Sequence, residues 1–230
     1  MHVTFLSGAG MSAESGIRTF RDNNGLWEDH DVMDVASPEG WARDAELVNR
    51  FYNARRAQLH DVEPNAGHRT IAELERTHTV HVVTQNVDDL HERAGTTSLL
   101  HLHGELRKVR STAHPELVYD WNGPLGPDDR CARGARLRPH IVWFGEDVPL
   151  LPRAAEIVAA SDVVVVVGTS MQVYPAAGLV GFAPEHAEVY YVDPHPQVNA
   201  ELRARANLRI VKAKAGDALP KLVAQWITAD

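Results

Sequence analysis

The sequence predicts an α/β fold: a doubly wound, Rossmann-like parallel sheet carrying a small inserted lobe and a helical module. Three observations carry that expectation. Apolar, β-branched runs alternate with helical patterns along most of the 230 residues. Several of those runs are continuous rather than alternating, as strands covered on both faces require. The first run, Val3–Leu6, also opens directly onto Gly8-Ala9-Gly10-Met11-Ser12-Ala13, a turn with the G-x-G-x-x-G/A spacing.

Strands are predicted at 3–6, 80–84, 99–102, 140–144, 162–167, 188–192 and 208–211. Helical patterns fall between them at 65–77, 86–94, 150–160, 197–206 and 217–227, with Asn65 and Asp217 placed as N-caps. The most apolar stretch, Val163–Val167, is far short of the ~20 residues a membrane span needs, so it reads as a buried strand. Two segments break the alternation. Residues 28–62 hold a long helical pattern at 44–60 and no strand, and 104–139 is rich in Pro and Gly with little periodicity. The expected division is therefore a main domain from 1–27, 63–103 and 140–230, a helical insertion at 28–62 and a small lobe at 104–139.

Bulk properties exclude some functions. A formal net charge of −8, with Lys and Arg dispersed, leaves no basic face for nucleic acid. Composition is that of a soluble globular chain, with no targeting segment visible before the first strand. The single cysteine, Cys131, allows no internal disulfide and fits a reducing cytoplasm.

The glycine turn does not continue as a hydride-transfer enzyme would. Such an enzyme follows the turn with an amphipathic helix, a second strand and an acidic residue for the ribose. Here "ESGIRTFRDNNGLWED" is polar, glycine-broken and aperiodic, a flap rather than a helix. Two more strands end in binding chemistry. "VVTQNVDDLHERAG" closes on Gln85-Asn86-Val87-Asp88, and "VVVVVGTSMQVYPA" on Gly168-Thr169-Ser170. In "HLHGEL", His101 and His103 share one face of a strand. They read as hydrogen-bonded histidines, as an H-x-H metal pair lacking convincing further ligands, or as a single general base at a strand end.

Taken together, "GAGMSAESGIRTFR", "TQNVDDLHERAG", "HLHGEL", "PHIVWFGE" and "VGTSMQVYPAAGL" resemble the sirtuin family of NAD-dependent protein-lysine deacylases, in order and spacing. The resemblance covers essentially the whole chain. It implies that NAD is consumed as a co-substrate, so the flap must close over the nicotinamide ribose and reopen. On matching positions it places Gly8, Ala9, Gly10, Met11, Ser12, Ala13 and Glu14 in the cofactor cradle, with Phe20, Arg21 and Trp27 in or beside the closing flap. Gln85, Asn86 and Val87 would line the nicotinamide ribose and Asp88 would hold the carboxamide. Gly168, Thr169 and Ser170 match the far ribose contacts; Asp193, Pro194 and Ala215 complete the cofactor side. His103 matches the catalytic base, with Asn86 beside it.

The implied chemistry transfers the acyl group of a substrate lysine to ADP-ribose, releasing nicotinamide and an O-acyl-ADP-ribose. Phe144, Gly145 and Glu146 of "VWFGE" would present an edge to the acylated protein segment. Tyr52 and Arg55, on the apolar stripe Val48–Tyr52–Arg55–Leu59, resemble the Y-x-x-R signature of sirtuins that remove succinyl and other acidic acyl groups. The chain departs from the family in its lobe, which keeps only Cys131 of the usual four zinc cysteines, so zinc is not expected. Asp193 stands about where the family commonly has asparagine. The expected partners are acylated lysines of proteins, with no nucleic acid and no membrane, in the cytoplasm; oligomeric state is not legible. The competing functions are mono-ADP-ribosyl transfer to protein and a non-catalytic NAD or ADP-ribose sensor.

Overall fold

The computed structural model describes residues 1–18, 26–27 and 30–227. The chain opens with β1 (His2–Ser7) and α1 (Gly10–Ala13), then a short hairpin of β2 (Leu26–Trp27) and β3 (His30–Asp31). A helical module follows: α2 (Val32–Val35), α3 (Pro38–Arg43) and α4 (Ala45–Gln58). Next come α5 (Ala66–Leu74), β4 (Thr79–Thr84), α6 (Leu90–Ala94) and β5 (Leu99–His101). The lobe is built on β6 (Gly104–Ser111), β7 (Val118–Asp120) and β8 (Leu137–Ile141). The chain then returns through α7 (Leu151–Ala159), β9 (Val163–Val167), a 3₁₀ turn at Ala176–Phe182, β10 (Glu188–Val192), α8 (Ala200–Arg203), β11 (Leu208–Val211) and α9 (Ala215–Ile227).

Six strands form one parallel sheet in the order β11-β10-β9-β1-β4-β5. The chain runs outward from β1 to β4 and β5, then crosses back and runs outward again from β9. That reversal leaves a crevice at the carboxyl ends of β1 and β9. The valine run of β9 is continuous because both faces are covered. Val163, Val165 and Val167 pack with Ile71 and Leu74 of α5 and with Leu219, Leu222 and Trp226 of α9. Val164 and Val166 face Ala154 and Val158 of α7, Leu179 of the 3₁₀ turn and Leu202 of α8. Among the described residues no helix is long and apolar enough to cross a membrane.

Three expectations change. Residues 28–62, expected to hold no strand, contain the two-residue β3, whose His30 and Asp31 pair with Trp27 and Leu26 of β2. The apolar run expected as a sheet strand at 140–144 instead ends β8, which pairs antiparallel with β6 in a three-stranded sheet, β7-β6-β8. Ile141 and Trp143 pack with Val48, Phe51 and Tyr52 of α4, so the run is apolar for the helical module's sake. Asp217 is not a cap: α9 already begins at Ala215, and Glu14 Oε2 accepts the Gly216 N–H at 2.8 Å. Asn65 does cap α5, its side chain accepting from Gly67 and His68 while His68 Nδ1 accepts from the Asn65 N–H.

Candidate active site

The crevice is a cleft of about 680 Å³ across the carboxyl ends of the central strands. Its floor is an interlock of two glycine turns. Gly8 N donates to Val167 O at 3.0 Å, and Gly10 N donates to Gly168 O at 2.8 Å. Gly168 sits at φ 61°, and a Cβ there would overlap the Met11 amide; a Cβ on Gly8 would press on Thr169. Only glycine lets the backbones of the two halves approach this closely.

The end of β4 is stitched to both turns. Gln85 Nε2 donates to Thr169 Oγ1 at 3.2 Å. Asn86 N donates to Thr84 Oγ1 at 3.0 Å, and Asn86 Nδ2 donates to Ser12 Oγ at 3.1 Å. Ser12 Oγ in turn donates to Asp88 Oδ2 at 2.8 Å, while the Leu90 N–H reaches Asp88 Oδ1 at 3.2 Å. Burial pushes the Asp88 carboxyl up to about 6, against the pull of those two donors. At neutral pH it is an anion close to its balance point.

His103 follows β5 at the rim of the cleft. Its Nδ1 lies 3.2 Å from Gln85 O, and a carbonyl can only accept, so Nδ1 carries the proton. Burial pushes the ring below its usual value, more than that carbonyl raises it. The result is a neutral imidazole whose Nε2 keeps its lone pair, the state a general base requires. Gly104 follows at φ 85°, where a Cβ would overlap His140 O, so the chain turns sharply from His103 into the lobe.

The opposite wall is the segment after β8. Val142 N donates to His103 O and Phe144 N to Ala36 O, both at 2.9 Å, which ties the segment to the histidine and to the helical module. Trp143 Nε1 donates to Tyr52 OH at 3.2 Å. Glu146 pairs with Arg138 at 2.6 Å and Arg110 at 3.0 Å and accepts the Trp143 N–H. It fixes the turn on which Phe144 stands half exposed.

A model of the Sir2 family matches residues 8–175. The chain belongs to that family. It is 51% identical over 226 residues to an NAD-dependent protein deacylase of Helicobacter pylori strain J99, covering 96% of this chain and 95% of that one. A Bacteroides thetaiotaomicron protein of the same name is 47% identical, with 96% of each chain covered. In structure it is similar to a Sir2 homologue in complex with NAD, at TM-score 0.88 and 38% identity, over 99% of this chain and 90% of that chain. It is thus a sirtuin, of the NAD-dependent protein deacylase class.

Most of the residues singled out in the sequence line the sirtuin's cleft. Gly8, Ala9, Gly10, Ser12, Ala13, Glu14 and Trp27 do so at one end. Gln85, Asn86, Val87, Asp88 and His103 lie at its centre, with Gly168, Thr169, Ser170, Asp193 and Pro194 along the far side. Tyr52, Phe144, Gly145 and Glu146 line the opposite wall. Met11 and Ala215 do not reach it; both are buried in the core beneath the cradle. Phe20 and Arg21 lie outside the described residues. Arg55 lines a separate, smaller cavity of about 230 Å³ with Arg50, Phe51 and His30.

The cleft residues that were not anticipated include the polar side chains of Tyr174, His195, Gln197 and Lys214. His195 and Lys214 follow the carboxyl ends of β10 and β11, so the strand-end rule that found Asp88 would have found them. The two histidines of "HLHGEL" do not converge on one point. Among the described residues, the group able to hold an ion is Glu92, His101 and Glu105, with ligand atoms within 4.8 Å of one another; His103 is not in it.

Proposed function

We propose that the cleft takes NAD as a co-substrate and transfers the acyl group of an acylated protein lysine to it, with His103 as general base. The observation that carries this is the state of His103: neutral, its Nδ1 proton fixed on Gln85 O, its free Nε2 lining the cleft beside Asn86. The cleft's size, in the range of ~300–1,000 Å³ common for small-molecule sites, and its place at the strand reversal both suit a dinucleotide. NAD supplies the activated leaving group, nicotinamide.

The chain's own residues supply the rest. Gly8, Ala9, Gly10, Ser12, Ala13 and Glu14 form the phosphate and ribose cradle, Gln85 and Asn86 orient the reacting ribose, and Asp88 holds the carboxamide. Thr169, Ser170 and Asp193 grip the far ribose; a carboxylate there favours NAD over its 2′-phosphate form. His103 removes a ribose hydroxyl proton, worth on the order of 10²–10⁴-fold. The products are nicotinamide and O-acyl-ADP-ribose, in the cytoplasm. Phe144 and Gly145 receive the substrate segment, on the turn Glu146 secures.

The acyl groups are acetyl and, through Tyr52 and Arg55, succinyl or malonyl. Tyr52 is wholly buried at the cleft wall, its phenol oriented by Trp143 and pushed above its usual range by burial. Arg55, three residues on along the same helix, brings a guanidinium to the separate, smaller cavity. The test is NAD-dependent turnover of matched acetyl- and succinyl-lysine peptides by the parent and by Arg55→Met. Desuccinylation should lose about 2–5 kcal/mol of transition-state stabilisation while deacetylation is spared. Parallel loss on both peptides would make Arg55 structural.

The lobe, on the same reading, folds without zinc. Where a ligand pair would be expected, Ser111 Oγ accepts from the Ala113 and His114 N–H groups at 3.3 and 3.1 Å. Cys131 is buried with Val109, Leu125 and Leu137 in a small apolar core. A hydroxyl, one thiol and packed aliphatics do not make the thiolate and imidazole set of a structural zinc site. No step of the reaction runs through a metal.

A further inference from the structure

His101 has no part in that chemistry, yet its ring is bonded at both nitrogens. Nδ1 lies 2.9 Å from Asn86 O, and Nε2 lies 2.8 Å from Glu92 Oε1. A peptide carbonyl only accepts, and so does an ionised carboxylate. Both nitrogens therefore carry hydrogen, and the ring is an imidazolium. Two residues on, His103 spends one nitrogen on Gln85 O and keeps the other free. The two rings grip adjacent carbonyls of one segment in opposite protonation states.

We infer that His101 is a standing cation that positions the Asn86–Asp88 segment and favours the Asp88 anion. The inference rests on the proposed roles of Asn86 and Asp88. Its mechanical half is direct: with the Asn86 N–H on Thr84 and its amide on Ser12, the bond from His101 fixes the carbonyl as well. Its electrostatic half concerns the carboxyl behind the cleft. Burial drives Asp88 toward neutrality; the His101 charge opposes this and the Glu92 charge assists it. Loss of the His101 proton at alkaline pH turns Nε2 into a lone pair facing the Glu92 carboxylate, so the ring loses its anchor and with it the hold on the Asn86 carbonyl.

The groups facing the ring are Glu92 and His91 on α6, Glu105 on β6 and Asp88 between β4 and α6. Glu105 is itself paired with Lys108 at 2.9 Å. Burial lowers the His101 value, but Glu92, the Asn86 carbonyl and Glu105 together hold it above the ordinary 6.5. His103 is displaced downward. The working range of the site thus lies between two histidines, a base that must be neutral and a clamp that must be charged.

The test has one arm without turnover. Nitrogen-resolved NMR of histidine-labelled protein, assigned with His101→Asn, should show His101 protonated at both nitrogens at neutral pH and titrating above His103. NAD affinity by calorimetry should fall through the same pH range. In the turnover arm, kcat/KM on acetyl-lysine peptide should show an alkaline limb at the His101 titration. His101→Asn can still donate to Asn86 O but has no charge. It should lose that limb, lower kcat/KM roughly tenfold and leave the acid limb in place. Glu92→Gln keeps an acceptor for Nε2 and should move the alkaline limb to lower pH. A neutral His101 in the spectra, or an unmoved alkaline limb in both variants, overturns the inference. Absence of deacylation in the parent would instead overturn the proposed reaction, with the spectra and NAD affinity still deciding the state of His101.

Discussion

The six-stranded sheet and the lobe beside it are made of different materials. β9 places five consecutive valines between two helical layers, every one buried. β6 sets Leu106 and Val109 among Glu105, Arg107, Lys108 and Arg110; Leu106 packs with the helical module, and Val109 with a lobe core of a few residues. The lobe is held instead by polar pins. Arg56, fully buried on α4, donates to Leu106 O at 2.7 Å and Gly123 O at 3.2 Å. Arg110 and Arg138 close on Glu146, and Arg138 lies over the Trp143 ring. Apolar burial involves no titrating group; buried ion pairs are costly to break and depend on the charge of both partners. His103 stands at the join, one residue before the lobe begins.

The largest effect should come from that join. His103→Ala should leave a folded protein that binds NAD, with deacylation down by at least about a hundredfold. His101→Ala should cost far less, and comparable loss from both would favour a metal pair over a base. Activity assays with NAD calorimetry decide it.

Matched truncations come next. Val165→Ala in the sheet should cost roughly 2–3 kcal/mol in global unfolding by urea. Val109→Ala removes the same atoms from the lobe core, and should instead speed amide exchange across residues 104–141 while the sheet stays protected. Equal loss of global stability from both would show one cooperative unit.

A third comparison uses pH. His68 packs under the sheet against His91, ring centroids 4.8 Å apart, and burial, then Arg69, pushes it down to about 4 from 6.5. Between those values the unfolded chain binds more protons, so stability rises with pH across the window and is lost as pH falls through it. Asp88 works in the opposite sense, since its value is raised from 3.8 to about 6 and its folded form binds the proton. His68→Gln can keep the capping bond to the Asn65 N–H and should recover on the order of 2 kcal/mol at about pH 4.5 with little change at about pH 7.5. Urea midpoints at both pH values check this.

The smallest effect expected is none. Chelation should leave melting temperature and activity unchanged, with no stoichiometric zinc by elemental analysis. Zinc whose removal unfolds the protein would show that the lobe is pinned by metal after all.

What the sequence disclosed follows the same division. Burial on both faces made the sheet strands legible as unbroken apolar runs, and strand ends then located Asn86, Asp88 and Thr169. β6 was illegible because its register shifts between Gly104 and Val109, so its buried positions change parity midway and the period of two disappears. The strand expected at 140–144 misled because Ile141 and Trp143 are apolar for α4, not for the sheet. On α4 itself the stripe through Val48 and Tyr52 runs between two arginines at 55 and 56. Spacing alone does not say that Arg56 is the one locked inside, since its partners are carbonyls some fifty residues away. The double bonding of His101 depends likewise on Glu92 of another element.

The interlock of Gly8 with Gly168 has a consequence in time. Strand β1 is central to the sheet, yet its β9 edge pairs Val3 with Val163, 160 residues further along the chain. At elongation rates of about 5–20 residues per second, that edge waits on the order of 10–30 s on the ribosome before its partner exists. β4 arrives earlier and can cover only the other side. Until then the Gly8 turn has no opposite half, and an apolar strand edge stands open to whatever else can pair with it. The tightly interlocked floor of the finished cleft is therefore built on a strand edge that waits longest in the nascent chain.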